Sequence, residues 1–326
     1  MIRMRPPLAR FTTACFLAIT AAGAATGQTY PVRPVRVIVQ FPPGGTPDIY
    51  GRIMASELAK LWNQSVVVEN RTGASGTIGT DVVARSAPDG YNLLFAADAA
   101  IVIAPHLYSK LPYDPVRDLT PIVNVAGGPF VLLVNPSVPI ASINDLVKAA
   151  KEHNGKLAYA SSGTGSNQHL SMELIRSMTG IDMVHIPYKG FGQALTDVLA
   201  GQVPMLFGGV TATLGIVRTG KLRAVGITSA KRSAGLPDVP AIAETLPGLE
   251  VLAWYGFMGP ANMPRELVRK IHADVVTIVN RADFRERLAK DAIEPIANTP
   301  EEFAAQIKAD LAKWEKVVKA SGAKAE

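Results

Sequence analysis

Four glycine-rich loops organise this chain, because each lies between a short apolar run and a segment whose apolar residues recur at helical spacing. The loops contain Gly44-Gly45, residues 73–76, residues 163–165 and residues 190–192. Repeated strand–loop–helix units build α/β folds with mainly parallel sheets. In such sheets ligands bind beyond the carboxyl ends of the strands, where these loops collect. The sequence therefore predicts an α/β fold with a ligand cleft at that edge.

Two of the loops have the composition of an anion site. Residues 41–48 read Phe-Pro-Pro-Gly-Gly-Thr-Pro-Asp, and residues 161–169 read Ser-Ser-Gly-Thr-Gly-Ser-Asn-Gln-His. The start of a helix presents free N–H groups and the positive end of the helix dipole, and glycine lets a ligand approach them. A single loop of this kind usually forms only a turn and does not by itself indicate a binding site. Two of them, with two further loops at the same edge, predict one small acidic molecule held from two sides.

Elimination narrows the kind of anion. The loop at residues 161–169 lacks the third glycine of a dinucleotide fingerprint, and the chain has no Gly-Lys-Ser/Thr phosphate loop. Gly73-Ala74-Ser75-Gly76 is one residue short of a nucleophile elbow, so Ser75 is a poor catalytic serine. A carboxylate is the simplest remaining anion. Ser162, Thr164 and Ser166 would add hydroxyl donors to the backbone N–H groups.

The length of 326 residues exceeds the usual size of one domain and predicts two. We expect the chain to cross between them twice, near residues 127–130, where Gly127-Gly128-Pro129 lies between two apolar runs, and near residues 249–258. Domain 1 then comprises residues 28–128 and 250–326, and domain 2 comprises residues 129–249.

Residues 1–27 have the pattern of a secretory signal peptide. Arg3, Arg5 and Arg10 precede a short apolar run at residues 11–22, and small residues follow it. We expect cleavage near residues 24–28; an uncleaved membrane anchor is the alternative. Cleavage removes three of 33 basic residues and no acid, which lowers the formal charge from +6 to +3. A net charge of +3 does not indicate a nucleic-acid-binding protein.

Composition also limits the chemistry of the mature chain. The one cysteine, Cys15, lies in the predicted signal peptide, so disulfides, thiolate metal sites and a cysteine nucleophile are excluded. None of the five histidines forms a His-x-x-x-His pair. We therefore expect neither a metal site nor a cofactor.

Short motifs stand in a fixed order along residues 30–320. Besides the two loops above, they are Tyr30-Pro31-Val32-Arg33-Pro34-Val35-Arg36, Glu69-Asn70-Arg71-Thr72-Gly73-Ala74-Ser75-Gly76, Ala87-Pro88-Asp89-Gly90-Tyr91, Pro187-Tyr188-Lys189-Gly190, Gly201-Gln202-Val203, Pro237-Asp238-Val239-Pro240 and Trp254-Tyr255-Gly256. In these motifs the chain resembles the substrate-binding proteins of tripartite tricarboxylate transporters (TctC-like), also called Bug proteins.

The resemblance implies a periplasmic solute receptor with the type II periplasmic-binding-protein fold, in which two α/β domains enclose a cleft. It also implies a small carboxylate ligand (a dicarboxylate, tricarboxylate, acidic amino acid or aromatic acid) and membrane transporter subunits as partners. Phe41, Gly44, Gly45 and residues 162–166 match the positions that clamp the ligand carboxylate in the family. Pro47 replaces a residue that is often serine, and Pro204 stands where an acid is common. The particular ligand therefore stays open.

The loops and the resemblance together give a set of candidate ligand-binding residues. They are Phe41, Pro43, Gly44, Gly45, Asp48, Ala74, Ser75, Gly76, Asp98, Ser162, Gly163, Thr164, Gly165, Ser166, His169, Tyr188, Lys189, Gly190 and Gly208.

Five of these candidates have more than one interpretation. Asp48 suits stabilisation of its own helix start better than ligand contact. His169 suits ligand contact and a structural bond to a neighbouring strand equally, and Lys189 suits a ligand charge and a solvated rim equally. Tyr188 fits an apolar wall. Asp98 fits a surface turn better than a site for a ligand amine.

The resulting expectation is a monomeric binding protein without enzymatic activity, since the sequence shows no acid–base or nucleophile pair. Two alternatives stay open. One is a sensor that presents its ligand-closed form to a signalling receptor, and the other is an enzyme built on the same fold.

Overall fold

The computed structural model describes residues 1–2, 30–233 and 235–324. Nearly all of the predicted signal peptide therefore lies outside the described residues. The ten strands of the described part are β1 (Val35–Val39), β2 (Val66–Asn70), β3 (Asn92–Ala97), β4 (Leu119–Val134), β5 (Ala158–Ser161), β6 (Val184–Pro187), β7 (Met205–Gly209), β8 (Arg223–Ile227), β9 (Leu252–Pro260) and β10 (Glu294–Pro295).

Helices alternate with these strands along much of the chain. They are α1 (Thr46–Trp62), α2 (Thr77–Ala84), α3 (Ala104–Leu107), α4 (Ile143–Glu152), α5 (Asn167–Thr179), α6 (Phe191–Leu199), α7 (Val210–Arg218), α8 (Arg265–Val279), α9 (Ala282–Lys290) and α10 (Pro300–Ser321). Short helical turns cover Ala74–Gly76, Ala99–Ile103 and Ile242–Glu244. The described residues include no helix that is both long and apolar enough to cross a bilayer.

The strands form one continuous sheet in the order β2-β1-β3-β9-β4-β7-β5-β6, with β8 and β10 also paired to β4. At one end β1 runs parallel to β2 and β3, and at the other end β5 runs parallel to β6 and β7. Antiparallel β9 and β4 lie between these two parallel sets. Val37, Ile38 and Val39 of β1 are fully buried, as expected for a strand that helices cover on both faces.

Strand β4 belongs to both halves of the molecule. Residues 119–129 pair with β9, residues 130–134 pair with β7, and residues 131–134 also pair with β8. The two apolar runs around Gly127 and Gly128 are thus one strand, although the glycines resemble a break. The glycines instead permit close packing, because a Cβ at Gly128 would lie 2.3 Å from Ile293 Cδ1.

The two chain crossings lie side by side and are joined by Thr228. Its hydroxyl accepts from the Phe130 N–H at 2.8 Å and donates to the Val251 carbonyl at 2.5 Å. Its backbone N–H donates to the Phe130 carbonyl, and its carbonyl accepts from the Val251 N–H. We propose domain boundaries at these crossings, with residues 28–128 and 250–326 in one domain and residues 129–249 in the other.

Candidate functional site

A cavity of about 80 Å³ lies where the loops of the two halves meet. Loops that follow β1, β3, β5, β6 and β7 supply most of its lining. These are the carboxyl ends of the strands in the two parallel sets, where α/β proteins bind ligands. The volume suits several water molecules or a small solute, and it is too small for a polymer.

Four helices of eight or more residues begin at this cavity. The lining includes Gly45 to Pro47 at the start of α1, Ser166 to Gln168 at the start of α5, Gly190 to Gly192 at the start of α6, and Gly209 with Ala212 at the start of α7. The first turn of a helix leaves N–H groups without intrahelical partners. The four dipoles therefore favour negative charge in the cavity.

Three of the four helix starts have no side-chain cap. Gly45, Gly190 and Gly209 are the N-cap residues of α1, α6 and α7, and none provides a capping oxygen. Only α5 has such a cap, since Ser166 Oγ accepts from the His169 N–H. A ligand oxygen can therefore accept the hydrogen bonds that a capping side chain would otherwise accept from the first-turn N–H groups. Thr46 is itself the first residue of α1 and does not cap it.

Aromatic side chains form much of the remaining wall. Phe41, Phe130, Phe191 and Tyr255 line the cavity, together with three prolines at residues 42, 43 and 47. Phe130 and Tyr255 are almost fully buried. Apolar walls with a few directed polar groups are typical of small-molecule sites.

Among the described residues that line the cavity, Asp98 is the one with a charged side chain. It follows β3 and is only 1% exposed, so the interpretation as a surface-turn residue is wrong. Helix α10 packs against the helical turn that begins one residue later. Asn167 Nδ2 donates to Asp98 Oδ1 at 2.8 Å, while Asp98 Oδ2 has no hydrogen-bond partner. Burial raises the pKa of Asp98 to about 8, although the bond from Asn167 opposes this rise.

The structure brings part of the predicted set into the lining. The predicted residues found there are Phe41, Pro43, Gly45, Asp98, Ser162, Ser166 and Gly190.

Gly44 and Asp48 lie beside the cavity and bond to each other. The Gly44 N–H donates to Asp48 Oδ2 at 3.1 Å, and Arg52 and Asn70 donate to Asp48 Oδ1 at 3.0 and 2.8 Å. Burial opposes ionisation of Asp48, but the hydrogen bonds from Arg52 and Asn70 outweigh it and hold its pKa below the ordinary value. In this structure Asp48 thus fixes the loop at the start of α1.

The turn at Ala74–Gly76 touches the serine–glycine loop (residues 161–166) of the other half. Ser75 Oγ donates to the Thr164 carbonyl at 2.9 Å. A Cβ on Gly165 would lie 1.8 Å from Leu107 Cδ1, so the loop also packs closely on α3. The predicted residues of these two loops that stand outside the lining are Ala74, Ser75, Gly76, Gly163, Thr164 and Gly165.

His169 lies beneath the serine–glycine loop. Its Nδ1 accepts from the Gly165 N–H at 3.0 Å, and its ring stacks on His185 of β6 with ring centroids 3.8 Å apart. His185 Nε2 in turn lies 2.6 Å from Ser161 Oγ. Burial lowers the pKa of both imidazoles, which favours the neutral forms that these bonds use. His169 therefore positions the loop in this structure.

Three further candidates also lie outside the lining. The Tyr188 hydroxyl donates to Asp197 at 2.6 Å, and Lys189 is exposed. Gly208 is buried behind Phe191, where a Cβ would lie 2.9 Å from that ring.

The sequence did not single out several lining residues. Asn167, Gln168, Phe191, Gly192 and Gly209 stand within or next to the motifs already recognised, so extending each motif into its helix would have included them. Phe130, Ala253 and Tyr255 come from the two crossings; Tyr255 belongs to the recognised motif Trp254-Tyr255-Gly256, whereas Phe130 and Ala253 carry no local signal. Among the residues that the structure describes, no three His, Cys, Asp or Glu side chains are placed to hold a metal ion.

The sheet order and the cavity at opposed helix starts define a class: an α/β solute-binding protein of the type II kind, with two domains around a ligand cleft. Residues 50–323 match the family model described as the tripartite tricarboxylate transporter family receptor. The chain belongs to this family, as its motifs predicted.

Solved structures of relatives have the same fold. Rpa4515 of R. palustris with adipate has a TM-score of 0.88 and 33% identity, covering 90% of this chain and 99% of that one. The periplasmic binding protein BugD has a TM-score of 0.86 and 33% identity, covering 91% and 100%. MatC (Rpa3494) from Rhodopseudomonas palustris with bound malate has a TM-score of 0.83 and 32% identity, covering 89% and 100%. The predicted fold class is thereby confirmed.

Proposed function

We propose that this protein binds a small organic carboxylate in the cavity between its two halves and delivers it to the membrane subunits of a tripartite tricarboxylate-type transporter. One observation carries the proposal: four helices begin at the cavity, and three of them have glycine N-caps without a side-chain cap. An anionic oxygen in that position satisfies N–H groups and interacts with several helix dipoles at once. The relatives with bound adipate and malate support the same class of ligand.

We further propose that the receptor acts in the periplasm as a monomer after removal of its signal peptide. The family match supports export to this compartment. Ligand contacts from loops of both halves would stabilise a closed form, since only differential affinity shifts such an equilibrium. The closed form would then present surfaces of both domains to the transporter. A sensor would use the same closure, so a neighbouring histidine-kinase gene instead of two multi-span membrane genes would favour that alternative.

Calorimetry of the purified mature chain against a panel of mono-, di- and tricarboxylates tests the binding function. We expect at least one acid to bind, and to raise the free energy of unfolding by about 2.7 kcal/mol at a hundred times its Kd. If no acid binds, the carboxylate assignment is wrong. Chemical conversion of a bound acid would instead establish the enzyme alternative.

Two matched variants test the location of the site. Gly192 in α6 and Gly215 in α7 are both exposed helical glycines, and a Cβ at either meets no atom within 4 Å. Only Gly192 lines the cavity. We expect Gly192→Leu to weaken carboxylate binding at least tenfold by occupying ligand space, and Gly215→Leu to leave it within twofold. Equal affinities in two folded variants would place the ligand elsewhere.

A further inference from the structure

The lining of the cavity contains two chemically different regions. The helix starts present N–H donors, whereas Asp98 and Asn167 present acceptors. Asp98 Oδ2 and Asn167 Oδ1 are both buried and have no hydrogen-bond partner. The two residues are 1% and 5% exposed, so neither oxygen has ready access to bulk water. Unpaired buried oxygens in a ligand cavity are groups that a ligand can satisfy.

The hydrogen bond between the two side chains fixes which atoms remain available. Asn167 Nδ2 donates to Asp98 Oδ1 at 2.8 Å. This leaves two acceptors, the amide oxygen of Asn167 and, in the ionised form of Asp98, the second carboxylate oxygen. Two acceptors on adjacent side chains require a ligand group with more than one hydrogen. A primary ammonium carries three such hydrogens and forms charge-assisted bonds with a carboxylate.

The charges around Asp98 also favour a cation. The titratable groups near it are Asp310 of α10 and Tyr255 of β9, and α5 contributes the neutral amide of Asn167. No Lys, Arg or His occurs in the described lining. A second ligand carboxylate at this position would face the unpartnered amide oxygen of Asn167 and the negative charge of Asp310, whereas an ammonium would supply hydrogens and a positive charge.

We propose that the site takes an amino carboxylate, whose carboxylate lies at the helix starts and whose ammonium lies between Asp98 Oδ2 and Asn167 Oδ1. This inference rests on the proposed carboxylate-binding function and names its ligand class. Asp98 is then a specificity-determining residue.

A dependence on pH follows from the buried state of Asp98. Burial and the negative charge of Asp310 raise its pKa to about 8, against the hydrogen bond from Asn167, so the empty protein holds Asp98 protonated at pH 7. A ligand ammonium binds the ionised form, and binding below pH 8 therefore releases a proton. The affinity rises about tenfold per pH unit up to pH 8 and then levels off.

Matched sets of acids test the proposal by calorimetry. Each set has one carbon skeleton of three to six carbons and carries an amino group, a hydroxyl group or hydrogen at one position; 4-aminobutanoate, 4-hydroxybutanoate and butanoate form one set. In at least one set we expect the amino acid to bind ten or more times tighter than its two partners. Titrations at pH 7 in two buffers of different ionisation enthalpy should show release of about one proton.

Two variants assign the preference to Asp98. We expect Asp98→Asn, which keeps the shape and the bond to Asn167, to reduce the amino preference to about one and to abolish proton release. Asp310→Asn, outside the lining, should retain the preference. If a hydroxy acid or diacid binds tighter than every amino acid, or if Asp98→Asn keeps the amino preference, the inference is overturned while carboxylate binding stands. If no carboxylate binds at all, the proposed function itself fails.

Discussion

At the scale of single residues, close approaches between the two halves determine which substitutions the site tolerates. A Cβ on Gly165 would lie 1.8 Å from Leu107 Cδ1, and the φ of Gly165 is +76°. We expect Gly165→Ala to lower the free energy of unfolding by about 2–4 kcal/mol, because overpacking adds to the cost of a left-handed backbone. Gly180 has a φ of +66° and no atom within 4 Å of the added Cβ. Gly180→Ala should cost only about 1 kcal/mol. Denaturant titrations measure both values, and equal losses would contradict the steric explanation.

At the same scale, the sequence predicted the glycine loops but not the burial of Asp98. The glycine loops were predictable because strand, loop and helix follow one another directly in the sequence. The burial of Asp98 was not, since its small neighbours at residues 96, 97 and 99 resemble a turn. Its cover comes from α10, which begins some 200 residues later. Local patterns carry no information about such contacts.

At the scale of elements, one hydroxyl bridges the two crossings, in addition to the backbone bonds of Thr228 and the pairing of β4 with β9. Thr228 Oγ1 bonds to the Phe130 N–H and to the Val251 carbonyl. Thr228→Val keeps the side-chain shape but leaves two buried backbone groups without this partner, at about 1–3 kcal/mol each. We expect Thr228→Ser, which retains the hydroxyl, to lose much less stability. Thermal and denaturant unfolding of the two variants test this, and a valine variant as stable as the serine variant would show that the bonds contribute little.

Two features of the elements could not be recognised in the sequence, the helix α7 and the continuity of strand β4. Helix α7 was not predicted, because Gly208-Gly209 resembles the end of a strand followed by a loop. In the structure Gly209 is the N-cap of that helix, and α7 becomes the fourth helix start at the cavity. Gly127 and Gly128 separate two apolar runs in the sequence, yet pairing with β9 and β10 keeps β4 continuous through them.

At the scale of the whole molecule, the site exists only because two distant sets of loops meet. Ser75 reaches Thr164 and Asp98 bonds to Asn167 across this junction. The α/β alternation and the repeated loop edge made the fold class predictable. The list of lining residues depends on how the halves pack, so three of the four predicted glycine loops contribute to the lining, but the sequence did not predict the walls at Phe130 and Tyr255.

The most direct test of carboxylate binding at the helix starts is a crystal structure of the mature chain with the tightest-binding acid of the panel. We expect a carboxylate in the cavity, with its oxygens within hydrogen-bond distance of backbone N–H groups in the first turns of at least two of α1, α5, α6 and α7. A carboxylate bound outside the cavity, at an exposed cation such as Lys189, would contradict this expectation.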